Sequence, residues 1–402
     1  MILALLVLAV GLAVLIFSSQ YLVNAAVYIA KFFKVSTMLI GLTIVAFGTS
    51  APELFLSGMA AIEGNGNISV GNVIGSNIFN LGFILGLAAI VSPLIIRKKI
   101  LTRDTMFLLF TTVVIFVMTR NHYVGLWEGI VLLALLIGYT SYLWIKKDVP
   151  EAEMQEVKEE IKEATLTSVQ RKHFARLLGI LLIISVCSAK GVNGMFVFEW
   201  GYSMWMIGML VVLVLGGLGS MLYKTYKKQH LHYYRLFLSF LVLITSLIAL
   251  IVSSEHVIDA AVYLAQLWGI SEWAIGATII AMGTSLPELA VSIAALLKKD
   301  YGLSIGNVIG SDIFNVLGII GISSVINPIV LQSTCLWGSC EGWGRMLMDI
   351  NFSIFVLMIT LMITMFFMRT QWRISRTEGM ILFGLAVVRI VFEIKPDFFL
   401  SL

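Results

Sequence analysis

The stretch "IVAFGTSAPELFLS", residues 44–57, has the apolar content of a membrane-spanning helix, yet it sets Pro52 and Glu53 side by side behind Thr49 and Ser50. Proline has no N–H, so the carbonyl of Gly48 loses its helical partner. A carboxylate in hydrocarbon is costly enough to read as functional by default. The stretch returns as "IIAMGTSLPELAVS" at 279–292, which puts Pro287 and Glu288 in the same places 235 residues further on. That spacing holds without a gap: it pairs Ser18 and Ser19 with Ser253 and Ser254, Tyr28 with Tyr263, Gly41 with Gly276, and Pro93 with Pro328. It also pairs "SVGNVIGSNIFN" (69–80) with "SIGNVIGSDIFN" (304–315). The chain is an internal duplication.

Of the 402 residues, 59% are hydrophobic and 12% charged, with a mean hydropathy of +0.98. This is the composition of an all-α polytopic membrane protein. Apolar runs long enough to cross the hydrocarbon core fall around 2–18, 36–60, 68–93, 104–119, 124–145, 175–189, 203–223, 236–252, 273–296, 303–331, 351–367 and 377–394, about twelve spans. Barrel patterning is absent, and the first run lacks the basic flank and small-residue cleavage site of a signal peptide. With the N-terminus outside, all of the 27 Lys and Arg residues except Arg120, Lys190, Arg345, Arg389 and Lys395 fall on the cytoplasmic side. Such asymmetry predicts an N-out, C-out topology. The basic runs are solvated loop ends, and nothing in them suggests nucleic acid as a partner.

An odd number of spans separates equivalent elements, so the second copy is expected upside down relative to the first. The expected organisation is a first five-helix repeat over 1–145 and a cytoplasmic linker over 146–174. Two extra transmembrane helices with their loop follow over 175–234, and the second, inverted five-helix repeat covers 235–402. The linker carries Met154, Val157 and Ile161 at the spacing of a short amphipathic helix, and it is too short to hold a core of its own.

Inverted repeats with interrupted helices are the recurring build of secondary transporters, whose ion sites lie near the midplane where the copies meet. A bare carbonyl in hydrocarbon needs a polar answer, and a metal ion supplies one. Glu53 and Glu288 bring a carboxylate each, and Thr49, Ser50, Thr284 and Ser285 bring hydroxyl and backbone oxygens. Ser76 and Asn80 lie four apart on one helix face, as do Ser311 and Asn315, and add neutral oxygens. The result is an all-oxygen cage without His or Cys, suited to a hard cation such as Ca2+, which takes roughly six to eight such ligands. For each of these residues the competing reading is structural: a snorkelling or paired carboxylate, or an interhelical hydrogen bond.

At the two "GTSxPEL" and two "GNVIGSxIFN" motifs the sequence resembles the cation/calcium exchanger superfamily, in its prokaryotic Na+/Ca2+ exchanger-like branch. The resemblance covers both repeats. It implies alternating-access antiport of Ca2+ against Na+ or H+ in a prokaryotic inner membrane, with inorganic cations as partners and no cofactor or enzymatic step. The ligands it implies are Glu53, Thr49, Ser50, Ser76 and Asn80 with Glu288, Thr284, Ser285, Ser311 and Asn315. It further implies that the first span of each repeat, 2–30 and 236–265, slides across the core. Sodium-coupled members often carry Asp at the position of Asn315; here the acid, Asp312, comes three residues earlier. The cage is therefore expected to hold two carboxylates unless Asp312 turns in, which keeps exchange of Ca2+ for protons on the same glutamates as a rival. A cation channel would use similar oxygens, but helix breaks at matched depth in an inverted repeat speak against it.

Smaller features complete the reading. Gln20 and Asn24, matched by Glu255 and Asp259, place polar groups one turn apart on the first span of each repeat. Cys335 and Cys340 share an expected external loop in which a disulfide and two free thiols are both open, and Cys187 reads as a packing residue. The five histidines have no ligand spacing.

Overall fold

Residues 2–146, 231–267, 281–331 and 350–394 are described by the computed structural model. Inside lipid a backbone finds hydrogen-bond partners only within its own helix or a closed sheet, and the long apolar runs among the described residues fold accordingly as helices. Among the described residues seven helices are long and apolar enough to cross a membrane, and the pair Thr37–Thr49 and Ala51–Ile62, bent by 48°, makes an eighth if counted as one span. Helices also cover the described part of the expected spans near 273–296 and 377–394, as Ala281–Thr284, Leu286–Leu297 and Arg376–Ile394. The spans expected at 175–189 and 203–223, the linker beyond Lys146, and Cys187, Cys335 and Cys340 lie outside the described residues.

The chain divides into two compact units that do not follow the repeats. The first takes residues 1–37 and 147–263, the second 38–146 and 264–402. Each unit draws matching elements from both halves of the duplication.

In the first unit, α1 (Ile2–Phe33) and α7 (Leu231–Leu267) are the described helices. Val14 packs with Ala249, Val252 and Ile248, and a Cβ on Gly11 would stand 2.7 Å from the side chain of Val257. The buried hydroxyls of Ser19 and Ser253 donate back to the carbonyls of Ile16 and Ala249. Gln20 and Asn24 lie on α1 and Asp259 on α7.

The second unit holds both motifs. Its first half runs α2 (Thr37–Thr49), α3 (Ala51–Ile62), α4 (Gly66–Val91), α5 (Ile100–Asn121) and α6 (Leu126–Lys146). Its second half runs α8 (Ala281–Thr284), α9 (Leu286–Leu297), α10 (Tyr301–Ile326), α11 (Ile350–Arg369) and α12 (Arg376–Ile394). The halves interlock through equivalent crossings. A Cβ on Gly86 of α4 would meet the Gly379 carbonyl of α12 at 2.9 Å, and one on Gly129 of α6 would meet the Gly321 carbonyl of α10 at 2.8 Å. Without a hydrophobic drive between helices in lipid, such close approach of small residues is a main source of helix association.

Two short antiparallel ladders complete the interlock. Strand β1 (Leu94–Ile95) pairs with β4 (Arg373–Ile374), and β2 (Tyr123–Val124) pairs with β3 (Ile329–Val330). Ile96 N–H donates to the Trp372 carbonyl, and its repeat mate Leu331 N–H donates to the His122 carbonyl, both at 2.8 Å. Elsewhere in this unit the fully buried Asp104 accepts from Tyr139 Oη at 2.7 Å. It is also paired with the Arg103 guanidinium.

Candidate functional site

The breaks read from the prolines are present in both halves. The first helix stops at Thr49 and restarts at Ala51, with Pro52 in the opening turn and Ser50 between them at φ −82°, ψ 13°. Its repeat mate Ser285 sits at φ −89°, ψ 8° between Thr284 and Leu286, and Pro287 again opens the next helix. These angles lie in the sparsely allowed bridge region. Each break places its glutamate, Glu53 or Glu288, in the first turn of the restarted helix, where exposed N–H groups and the helix dipole favour negative charge.

All ten residues singled out from the sequence are buried in the second unit: Thr284 is 7% exposed and the others no more than 1%. The two glutamates are served crosswise. Ser50 Oγ donates to Glu288 Oε1 at 2.9 Å, and Ser285 Oγ donates to Glu53 Oε1 at 3.0 Å. Ser311 Oγ also reaches Glu288 Oε1, at 3.3 Å. Thr49 Oγ1 lies 3.4 Å from Ser311 Oγ and 3.2 Å from Asn307 Oδ1.

Behind each glutamate stands an asparagine that the sequence motifs contain but that residue-type reasoning passed over. Asn307 Nδ2 donates to the Glu288 carbonyl at 3.2 Å and to Ser292 Oγ at 3.0 Å. Asn72 Nδ2 does the same to the Glu53 carbonyl at 3.4 Å and to Ser57 Oγ at 2.9 Å. The signal was available, because Asn72 with Asn307 and Ser57 with Ser292 obey the spacing of 235. They hold the first helical turn that carries each carboxylate.

Asp312 is drawn in as well. It is fully buried, and its Oδ1 accepts from Asn80 Nδ2 at 2.9 Å. In the mirrored pair, Asn315 Nδ2 donates to Asn77 Oδ1 at 2.9 Å. Asn77 closes the square by donating from Nδ2 to the Asp312 carbonyl at 3.0 Å. The expected cage holds two carboxylates unless Asp312 turns in; Asp312 is buried and bonded to Asn80, so three buried acids, Glu53, Glu288 and Asp312, lie in this unit. Both helices carrying the square widen into a π-helical turn there, at Asn80–Ile84 and Asn315–Ile319, a local irregularity that recurs at functional sites.

Six buried oxygens around these contacts have no hydrogen-bond partner among the described residues: Glu53 Oε2, Glu288 Oε2, Ser76 Oγ, Asn80 Oδ1, Asp312 Oδ2 and Asn315 Oδ1. Buried polar atoms are rarely left in this state, and each needs a reason. No basic side chain among the described residues pairs with any of the three acids. Among the described residues no group of three or more His, Cys, Asp or Glu side chains forms a conventional metal cluster either. The arrangement instead offers carboxylate, amide and hydroxyl oxygens together, a donor set for hard cations.

Comparison with known proteins finds relatives over most of the chain. The sequence profile of the sodium/calcium exchanger protein family matches residues 3–145 and 238–395. The sodium/calcium exchanger MaX1 of Methanosarcina acetivorans is 31% identical over 97% of this chain and 98% of its own length. The inner membrane protein YrbG of Escherichia coli is 31% identical over 82% of this chain and 81% of its own. Among solved structures, the sodium-calcium exchanger NCX_Mj soaked with 10 mM Na+ and zero Ca2+ aligns with a TM-score of 0.67 and 25% identity, over 97% of this chain and 98% of that one.

Proposed function

The chain belongs to the sodium/calcium exchanger protein family, and from that premise we propose that it is a secondary active antiporter moving Ca2+ against Na+ by alternating access. The transported ion sits among Glu53, Glu288, Thr49, Ser50, Thr284, Ser285, Ser76, Ser311, Asn80 and Asn315. The observation that carries this reading is the set of buried, partnerless oxygens on two carboxylates, a serine and two asparagines. Leaving such oxygens dry costs free energy that a cation recovers.

Coupling follows from competition. Two carboxylates neutralise one Ca2+ or hold monovalent ions in its place, so each occupant excludes the other. The reciprocal bonds of Ser50 and Ser285 support a pseudo-twofold site whose halves can exchange roles as the protein opens to either side. The N-out, C-out arrangement of twelve spans, with five-helix repeats around two extra central helices, is part of the same proposal. The ladders support its sidedness: β1 pairs with β4 and β2 with β3, and each pair joins two loops that the distribution of Lys and Arg assigns to the same side.

Radiocalcium flux in proteoliposomes, with Na+ and pH gradients imposed separately, tests the reading. Uptake should follow an outward Na+ gradient and stop in Glu53→Gln and Glu288→Gln. Uptake that follows only the pH gradient makes the protein a Ca2+/H+ antiporter working through the same glutamates. Flux without any counter-ion would make it a channel.

A further inference from the structure

We propose that the ladder β1·β4 forms a docking site for an anionic phospholipid, its phosphate held between the loop that leads into α5 and the loop that joins α11 to α12. The inference goes beyond the exchanger reading and stands whichever counter-ion drives transport.

Pairing of the two strands gathers charge that the sequence keeps apart. Ile95 lies opposite Arg373, and Ile96 N–H donates to the Trp372 carbonyl at 2.8 Å. Thr105 Oγ1 reaches Met368 Sδ at 3.8 Å, which brings the start of α5 beside the end of α11. Lys98 and Lys99 on one loop therefore share this corner with Arg369, Arg373 and Arg376 on the other, and all five are exposed. Two acids on these elements are committed to internal bonds. Asp104 is fully buried against Tyr139 and Arg103, and Glu378 accepts from Thr370 Oγ1 and Ser375 N–H at the start of α12.

The duplication supplies a ladder of the same construction without the charge. There Leu331 N–H donates to the His122 carbonyl, and the cap bond from Ser375 N–H to Glu378 is repeated from Gly125 N–H to Glu128. Matched through these contacts, Thr119, Tyr123 and Leu126 stand where the second half has Arg369, Arg373 and Arg376. The spacing of 235 puts Ser333 and Thr334 where the first half has Lys98 and Lys99. A bias of basic residues to one membrane face accounts for charge in each loop, but it does not require two loops to be paired into one cluster. Height in the membrane selects a lipid over a soluble anion. The span of α5 begins at Ile100, directly after the lysines, and that of α11 ends at Arg369, so the charges sit where helices leave the hydrocarbon and lipid phosphates lie. On the same elements Ile95, Met106 and Phe366 are exposed, an apolar surface that acyl chains can cover.

The test titrates the purified full-length protein in detergent with phosphatidylglycerol or phosphatidylcholine and reads bound lipid by native mass spectrometry. Wild type should retain phosphatidylglycerol at concentrations about tenfold or more below those needed for phosphatidylcholine. In the triple variant Lys98→Gln, Arg373→Gln, Arg376→Gln that preference should vanish, because each basic residue near a membrane surface is worth about fivefold, roughly 1 kcal/mol. Lys98→Arg with Arg373→Lys and Arg376→Lys keeps the charge and should keep the lipid. Arg120→Gln, at the other ladder, should leave retention as in wild type. A thermal melt without added lipid should be the same for all variants, since the substituted side chains are exposed. Equal retention of both lipids by wild type overturns the proposal, as does an undiminished preference in the triple variant. Loss of lipid from the charge-keeping variant, or an equal loss in Arg120→Gln, also overturns it. If glycerol 3-phosphate, the headgroup chemistry without chains, displaces phosphatidylglycerol at equal concentration, the cluster is a soluble-anion site and the lipid assignment fails. None of these outcomes touches the exchanger reading, which fails instead if Glu53→Gln leaves Ca2+ flux running.

Discussion

Ser50 and Glu288 are 238 residues apart in sequence, yet Ser50 Oγ donates to Glu288 Oε1 at 2.9 Å. The serine at the break of one repeat thus serves the acid of the other. The mirrored contact from Ser285 to Glu53, at 3.0 Å, makes the exchange mutual. A hydrogen bond to a charged group contributes about 1.5–3 kcal/mol. Ser50→Ala and Ser285→Ala should therefore each weaken half-saturation by Ca2+ by roughly ten- to a hundredfold, and to similar extents. Flux titrations check this, and a large effect from one serine with none from the other would refute the mutual arrangement.

Asn307 holds the turn that carries Glu288 and touches no orphaned oxygen itself. In Asn307→Ala the Glu288 carbonyl and Ser292 Oγ lose their donor, at a cost of about 1–3 kcal/mol. The variant should unfold at lower temperature in detergent and bind Ca2+ more weakly. Asn307→Asp should be worse still, because it adds an acid beside Glu288. Wild-type stability in Asn307→Ala would remove the supporting role.

The ladder β1·β4 places Ile95 opposite Arg373, both exposed. Directly opposed strand residues have Cβ atoms roughly 4.5–5.5 Å apart, close to disulfide reach. Cysteines at these two positions should cross-link under mild oxidation and leave transport largely intact, because both ends belong to one compact unit. Transport that stops on oxidation and returns with reductant would show instead that the ladder opens during each cycle.

Gly310 lies where α10 crosses α2, and a Cβ there would fall 2.6 Å from Leu42 Cα and 2.8 Å from the Leu42 carbonyl oxygen. Both obstacles are backbone, so they cannot rotate away. Gly310→Ala should cost about 1–3 kcal/mol through overpacking. Because Ser311 and Asp312 come next in the chain, it should also impair transport. A thermal melt paired with a flux assay reads both effects, and an alanine variant matching wild type in each would contradict the close crossing.

Much of this protein was legible in one dimension. The lengths of the apolar runs fix helices, because lipid offers the backbone no other partners. The missing N–H of Pro52 and Pro287 fixes the breaks, and the spacing of 235 residues fixes which positions are equivalent. None of these needs knowledge of what lies across the fold. The ten oxygen-bearing residues were found in this way, and all ten are buried in one unit.

Partnership was not legible, because it depends on contacts between segments more than two hundred residues apart. Nothing in the motifs says that each serine bonds the other repeat's glutamate. Asp312 shows the limit most clearly. Its place in the sequence, three residues before the expected acid, left it outside the cage, but the crossing of α4 and α10 brings it to Asn80. Helical periodicity sets which face a residue occupies. Only the packing of one helix on another sets which of its polar atoms find a partner and which are left for an ion.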